Sequence, residues 1–128
     1  MVKADRAMKP YEAKIFIGLK DRDTGLEFPF DELEKFCQDF VDLKGECVTV
    51  TKTKYIYTKG NENGAIIGFI QYPRFPRDEE EIKDRALTLA KLAMYKFKQY
   101  RVTVNTPECA YMLTNPIKVK SLIEGVEL

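Results

Sequence analysis

Four arginines and a small set of aromatic rings are the groups in this chain best suited to hold a ligand. A guanidinium grips a phosphate or carboxylate through two parallel hydrogen bonds, where an ammonium acts as a point charge. Arg22, Arg74, Arg77 and Arg101 are the candidates. Tyr57, Phe69, Tyr72 and Phe75 supply planes against which a base can stack. Each group has a second reading: Arg74 and Arg77 flank prolines in a connector and need only water, and Tyr72 also fits a core position. Arg101 is the most interesting, because the alternation around Val102 turns it away from the core.

Catalytic groups are scarcer. The chain has no His, which excludes Ser–His, Cys–His and His–metal sites. Its only serine is Ser121. Gly60-Asn61-Glu62-Asn63-Gly64 reads as polar turn material, without the Lys and Ser/Thr of a phosphate-binding loop. Asp21-Arg22-Asp23 and Asp78-Glu79-Glu80-Glu81 could do acid–base work or bind a hard cation. The first reads more simply as a loop, and the second as the acidic first turn of a helix. Cys37, Cys47 and Cys109 are far apart and lack metal-ligand spacing. Cys37 falls on the apolar face of a helix as a buried thiol, Cys47 at the start of a strand takes the same reading, and Cys109 lies beyond the last core strand. No metal site, no cofactor and no catalysis are expected.

Charge narrows the ligand further. Lys plus Arg is 21 and Asp plus Glu is 20, so no global positive field exists to hold a long polyanion, and anion binding must come from a local cluster. Met1 to Pro10 is charged and lacks the apolar core of a signal peptide. No apolar run approaches the roughly 20 residues that span a bilayer. A cytoplasmic protein without a membrane partner is expected.

These groups must be positioned by an alternation of strands and helices. Ala13 to Lys20 reads as a first strand, with Ile15, Ile17 and Leu19 on one face and Phe16 and Gly18 on the other. A helix is expected from Asp31, with Asp31 and Glu34 as a capping box, and Gly45 as its stop. Leu33, Phe36, Cys37, Phe40 and Val41 form its apolar face. Glu46 to Thr58 is rich in β-formers, and a turn through Gly60 and Gly64 would fold it onto Ala65 to Tyr72. Asp78 and Glu81 repeat the capping pattern before the stripe Ile82, Ala86, Leu89, Ala90, Ala93 and Phe97. Tyr100 to Thr106 closes the series, with Arg101, Thr103 and Asn105 outward.

The order β-α-β-β-α-β predicts an α+β, ferredoxin-like sandwich, a four-stranded antiparallel sheet with two helices on one face. The domain would span residues 13–106, after an N-terminal tail at 1–12. A C-terminal extension, 107–128, would follow, in which Ile117 to Ile123 adds an edge strand or reaches a neighbouring subunit. The uncovered face is expected to carry Phe16, Ile67 and Phe69, an apolar patch favouring a homo-oligomer or a ligand.

Two family resemblances touch that face. Ile15-Phe16-Ile17-Gly18-Leu19 and Gly68-Phe69-Ile70-Gln71-Tyr72 are similar to the two strand motifs of RNA recognition motifs. Ala65, Ile66 and Ile67 depart from that pattern where a basic residue, a glycine and a stacking ring belong. The stretch from Phe16 to Thr24 resembles the opening of small phage and prophage proteins, as do Ile56-Tyr57-Thr58 and Phe97-Lys98-Gln99. That group is identified with the anti-Thoeris sponges, which sequester a cyclic ADP-ribose-type signal without destroying it. The resemblance implies a phage anti-defence protein that captures a nucleotide-derived small molecule. Arg22, Thr24, Tyr57, Phe69, Arg74, Phe75, Arg77, Arg101, Thr103 and Asn105 would line its site. Single-stranded RNA is the alternative partner.

Overall fold

The computed structural model describes residues 1–118. The elements are β1 (Glu12–Gly18), α1 (Phe30–Lys44), β2 (Thr49–Tyr57), β3 (Gly60–Ile70), α2 (Glu79–Lys96), β4 (Arg101–Asn105) and β5 (Ala110–Thr114). Residues 116–118 open a third helix. The strands form one open antiparallel sheet in the order β2-β3-β1-β4-β5. The expected four-stranded sheet is therefore five-stranded. A short turn, in which the Thr106 and Cys109 backbones and the Thr106 hydroxyl bond one another, returns the chain as β5. Ile117 lies in the third helix rather than in a strand, and residues 119–123 of that expectation fall outside the described residues.

One sheet face is packed by the helices. Leu33, Cys37 and Phe40 of α1 join Ile82, Ala86, Leu89, Ala90, Ala93 and Met94 of α2 in one core with Ile15, Ile17, Val102 and Val104. Burial pushes the Cys37 thiol up to about 11, as expected of an inert structural cysteine. Cys47, by contrast, is exposed, with its thiol 3.3 Å from the Tyr72 hydroxyl. Gly45 ends α1 at φ 66°, where glycine carries no Cβ penalty. Neither helix has the expected side-chain cap: α1 starts at Phe30 behind Pro29, and Asp78 precedes α2 without a capping bond. Their acidic first turns still face the positive ends of the helix dipoles.

The β2–β3 connection also differs from expectation. The turn is Thr58-Lys59, with Lys59 at φ 62°, and β3 begins at Gly60. Gly60 and Gly64 are strand residues, over which the rings of Tyr57 and Tyr55 lie so closely that a Cβ would collide with them. The register reverses the predicted facing of β3. Ile15 pairs with Ile67 and Ala13 with Phe69, so Ile67 and Phe69 point into the core, with Phe69 only 2% exposed. The uncovered face instead carries Phe16 beside Ile66, flanked by Gly18, Gly64 and Gly68. The two-ring platform expected of an RNA recognition motif does not exist, because Phe69 has no access to a base.

Candidate functional site

The uncovered face is hollowed into a cleft of about 380 Å³. Phe16 and Gly18 of β1 form its floor with Tyr55 of β2 and Glu62 of β3, and Thr103 and Met112 extend it across β4 and β5. Its rim comes from Lys20 and Arg22 after β1, from Lys98, Gln99 and Tyr100 between α2 and β4, and from Arg101 at the start of β4. The rim is basic and the floor holds one acid.

That acid is the unusual group. The Glu62 side chain is 9% exposed, and its only salt bridge among the described residues is with Arg22, 3.4 Å from Oε1 and itself largely in solvent. Its buried Oε2 has no hydrogen-bond partner among the described residues. Leaving a buried carboxylate oxygen unpaired costs free energy unless a water or a ligand meets it, which makes it a candidate ligand contact. Gln99 stands opposite. α2 unwinds after Phe97, Lys98 takes φ 53°, and the chain turns Gln99 inward. Its Nε2 donates to the carbonyls of Lys20 at 3.0 Å and Phe97 at 2.8 Å. Two carbonyl partners require the amide nitrogen there, so Oε1 faces the cleft. Gly18 lies below both, and a Cβ on it would stand 2.7 Å from Glu62 Oε2 and 2.9 Å from Gln99 Oε1. Tyr55 gives its hydroxyl proton to the Ala65 carbonyl. Burial, with the Glu62 charge adding, pushes its pKa up to about 12, so it remains protonated at neutral pH.

A second cluster holds the rim loop. Lys118 Nζ bridges Asp21 Oδ1 at 3.0 Å and Asp23 Oδ2 at 2.6 Å, Tyr100 donates to Asp23, and Asn115 Oδ1 receives the Ile117 and Lys118 amides. Burial alone would raise the Asp21 carboxyl, but the Lys118 bond and the Asp23 amide outweigh it and hold it below its usual value. The Lys118 and Tyr100 bonds do the same for Asp23. Depressed carboxylate pKa values add stability above their unfolded value of about 3.9, and that stability is lost as pH falls through the folded values. Lys118→Met is therefore expected to lower the thermal midpoint at about pH 7 by several degrees and to leave it unchanged at about pH 2. Calorimetric melts across that range check this, and an equal drop at both ends would contradict the ion-pair origin.

The predicted ligand residues separate into two groups. Arg22, Arg101 and Thr103 line the cleft, and the Arg22 guanidinium lies 5.9 Å above the Tyr57 ring. The others lie elsewhere. Phe69 is in the core, and Asn105 is at the other end of β4 opposite Lys14. The Thr24 hydroxyl accepts the Leu26 amide within its own loop. Arg74 sits 5.1 Å from the Phe75 ring on the connector before α2. Arg77 is a structural clamp, paired with Glu46 at 3.1 Å and Glu81 at 3.3 Å and bonded to the Gly45 carbonyl. Glu62, Gly18, Tyr55 and Gln99 were absent from the predicted set. Of these Gln99 and Gly18 had a sequence signal, Gln99 in Phe97-Lys98-Gln99 and Gly18 in the stretch from Phe16 to Thr24 and on the open face of the first strand. No group of His, Cys, Asp and Glu among the described residues could hold a metal ion, and no described helix is long and apolar enough to cross a membrane.

No protein-family model matches the chain, and no curated protein matches it. Solved structures do. A phage SAM lyase in complex with S-methyl-5′-thioadenosine superposes with a TM-score of 0.69 at 18% identity, covering 90% of this chain and 97% of the lyase. A phage SAM lyase in the apo state gives 0.67 at 18% identity, covering 83% and 90%. At this identity the likeness is one of fold. It overturns the expectation that the chain is no enzyme, since the solved structures that share its fold are those of a lyase.

Proposed function

We propose that the chain is a lyase acting on S-adenosylmethionine or a close sulfonium nucleoside, in a phage anti-defence setting. One observation carries the reading: the buried, half-unpaired carboxylate of Glu62 in the floor of the open-face cleft. The likeness in fold to phage SAM lyase over nine-tenths of the chain supports it.

The chemistry suits a chain without His. A sulfonium already is a leaving group. Breaking its bond to the aminocarboxypropyl carbon sends the electron pair to sulfur and releases neutral S-methyl-5′-thioadenosine. The carbon left behind is satisfied internally, when the substrate's own carboxylate oxygen forms a new C–O bond to it and closes a lactone. The balance needs neither water nor a protein nucleophile, so the missing Ser–His and Cys–His pairs do not bear on it. Glu62 is the anion that faces the sulfonium, in a site partly shielded from water where charge counts for more. Arg22 and Arg101 on the rim hold the substrate's carboxylate. Phe16 and Tyr100 offer rings to the adenine.

Incubation with S-adenosylmethionine is expected to consume it and to release S-methyl-5′-thioadenosine, read by chromatography with mass detection. Recovery of the nucleoside intact, after the protein has been denatured, would sink the lyase reading.

A further inference from the structure

We propose that Glu62 and Gln99, converging over Gly18, form an oxygen-only pair that distinguishes a sulfonium from a neutral thioether. The inference rests on the lyase reading for its choice of ligand. The geometry is that of a receptor for a cation, two acceptor oxygens with no donor between them. Glu62 Oε2 is buried and unpaired among the described residues, and Gln99 Oε1 is held toward it because both Nε2 hydrogens are committed to the Lys20 and Phe97 carbonyls. The two oxygens lie 2.7 and 2.9 Å from one point, the place of a Cβ on Gly18. That point is too tight for carbon. A methyl or methylene seated slightly farther out meets both oxygens at the roughly 3.3–3.6 Å of a C–H···O contact.

A sulfonium spreads its charge onto those C–H groups, and a thioether does not. Substrate and product therefore differ at this pair by one charge. The pair attracts the first and has little hold on the second, so the same contact that binds substrate favours product departure. Gly18 acts by leaving the space open. Any side chain there would part the two oxygens.

The test uses two nucleosides lacking the amino-acid end, so that an α-ammonium cannot stand in for the sulfonium. One is S-methyl-5′-thioadenosine, and the other is its S-methylated dimethylsulfonium counterpart. By calorimetry at constant salt the wild-type chain is expected to bind the sulfonium at least about tenfold more tightly. Glu62→Gln, which leaves the Gln99 amide bonds in place, and Gly18→Ala, whose Cβ parts the two oxygens, should bring the two affinities within about threefold. Gln99→Met should reduce the preference as well, with circular dichroism checking that the fold persists. Equal binding by the wild type, or a preference that survives Glu62→Gln, overturns the inference. So does failure of both nucleosides to bind while S-adenosylmethionine is still degraded, which would put recognition on the amino-acid end. A sulfonium preference in a chain that leaves S-adenosylmethionine intact would instead remove the lyase reading and keep this one.

Discussion

Glu62→Gln is expected to lower kcat/KM for S-adenosylmethionine by at least about 100-fold, the scale of a lost charged group in a shielded site, while raising the thermal midpoint. The two effects have one cause. Folding strips water from the Glu62 carboxylate and returns only a 3.4 Å contact with Arg22, which is 59% exposed and screened by solvent. Its other oxygen receives nothing from the described residues. A glutamine of the same shape removes the penalty of burying charge, so the folded state gains. The substrate's cation loses its counter-charge, so turnover falls. A purely structural glutamate would respond with the opposite sign in stability, and a bystander would leave turnover within a few-fold. Initial rates of S-methyl-5′-thioadenosine formation and thermal melts of the same preparations decide it. A lower melting point, or near wild-type rates, would count against Glu62 as the functional acid.

Phe97→Ala should do the reverse in stability, at a cost of about 3–5 kcal/mol in urea denaturation. The ring is fully buried and stands edge-on to Phe28 at 5.3 Å and Phe36 at 5.6 Å, tying the start of α1 to the end of α2. The ring shares one core cluster with the fully buried Leu89, Ala90 and Ala93, so its loss leaves a void inside packed structure. That loss is a large share of the roughly 5–15 kcal/mol that separates folded from unfolded domains. Its carbonyl also receives a Gln99 Nε2 hydrogen, so activity should fall with stability, unlike at Glu62. Phe97→Leu, which restores most of the volume, should recover the greater part of both. A stability loss under about 1 kcal/mol would show that the core relaxes around the cavity.

The helical half of this core was readable from the chain. Leu33, Cys37 and Phe40, and Ile82, Ala86, Leu89 and Ala93, recur at helical spacing, and Gly45 marks a stop that the backbone uses. β1 and β4 alternate cleanly, so Arg101 and Thr103 could be assigned to the open face, where the cleft lies. β3 could not be oriented that way. Ala65-Ile66-Ile67-Gly68-Phe69-Ile70 is apolar on both faces, and the same composition fits either facing. The error began at the turn. Lys59 adopts a left-handed conformation that a glycine or asparagine would have advertised, so Glu62 read as loop rather than strand. Gln99 depends on the unwinding at Lys98, which leaves no mark in composition. The mistaken exclusion of catalysis had a different source. Residue types reveal the nucleophiles and acids a protein supplies, but not that a substrate arrives carrying its own leaving group.

The strand that carries Glu62 runs past the end of its inner neighbour. β1 stops where Gly18 meets Gly64, and beyond it the Leu19 amide reaches the Asn63 carbonyl at 3.0 Å, while β2 continues alongside as far as Gly60. Glu62 therefore rides on a two-stranded arm projecting from a five-stranded body. Hydrogen exchange along residues 58–62 is expected to report opening of this arm at a free energy below that of unfolding the domain. Each such opening would take the acid from the cleft while the core stays shut. The affinity a ligand experiences is then the affinity of the closed arm multiplied by the fraction of time it is closed. On the proposed function, part of the binding strength of this site is then set by Thr58 and Lys59, two residues outside the cleft.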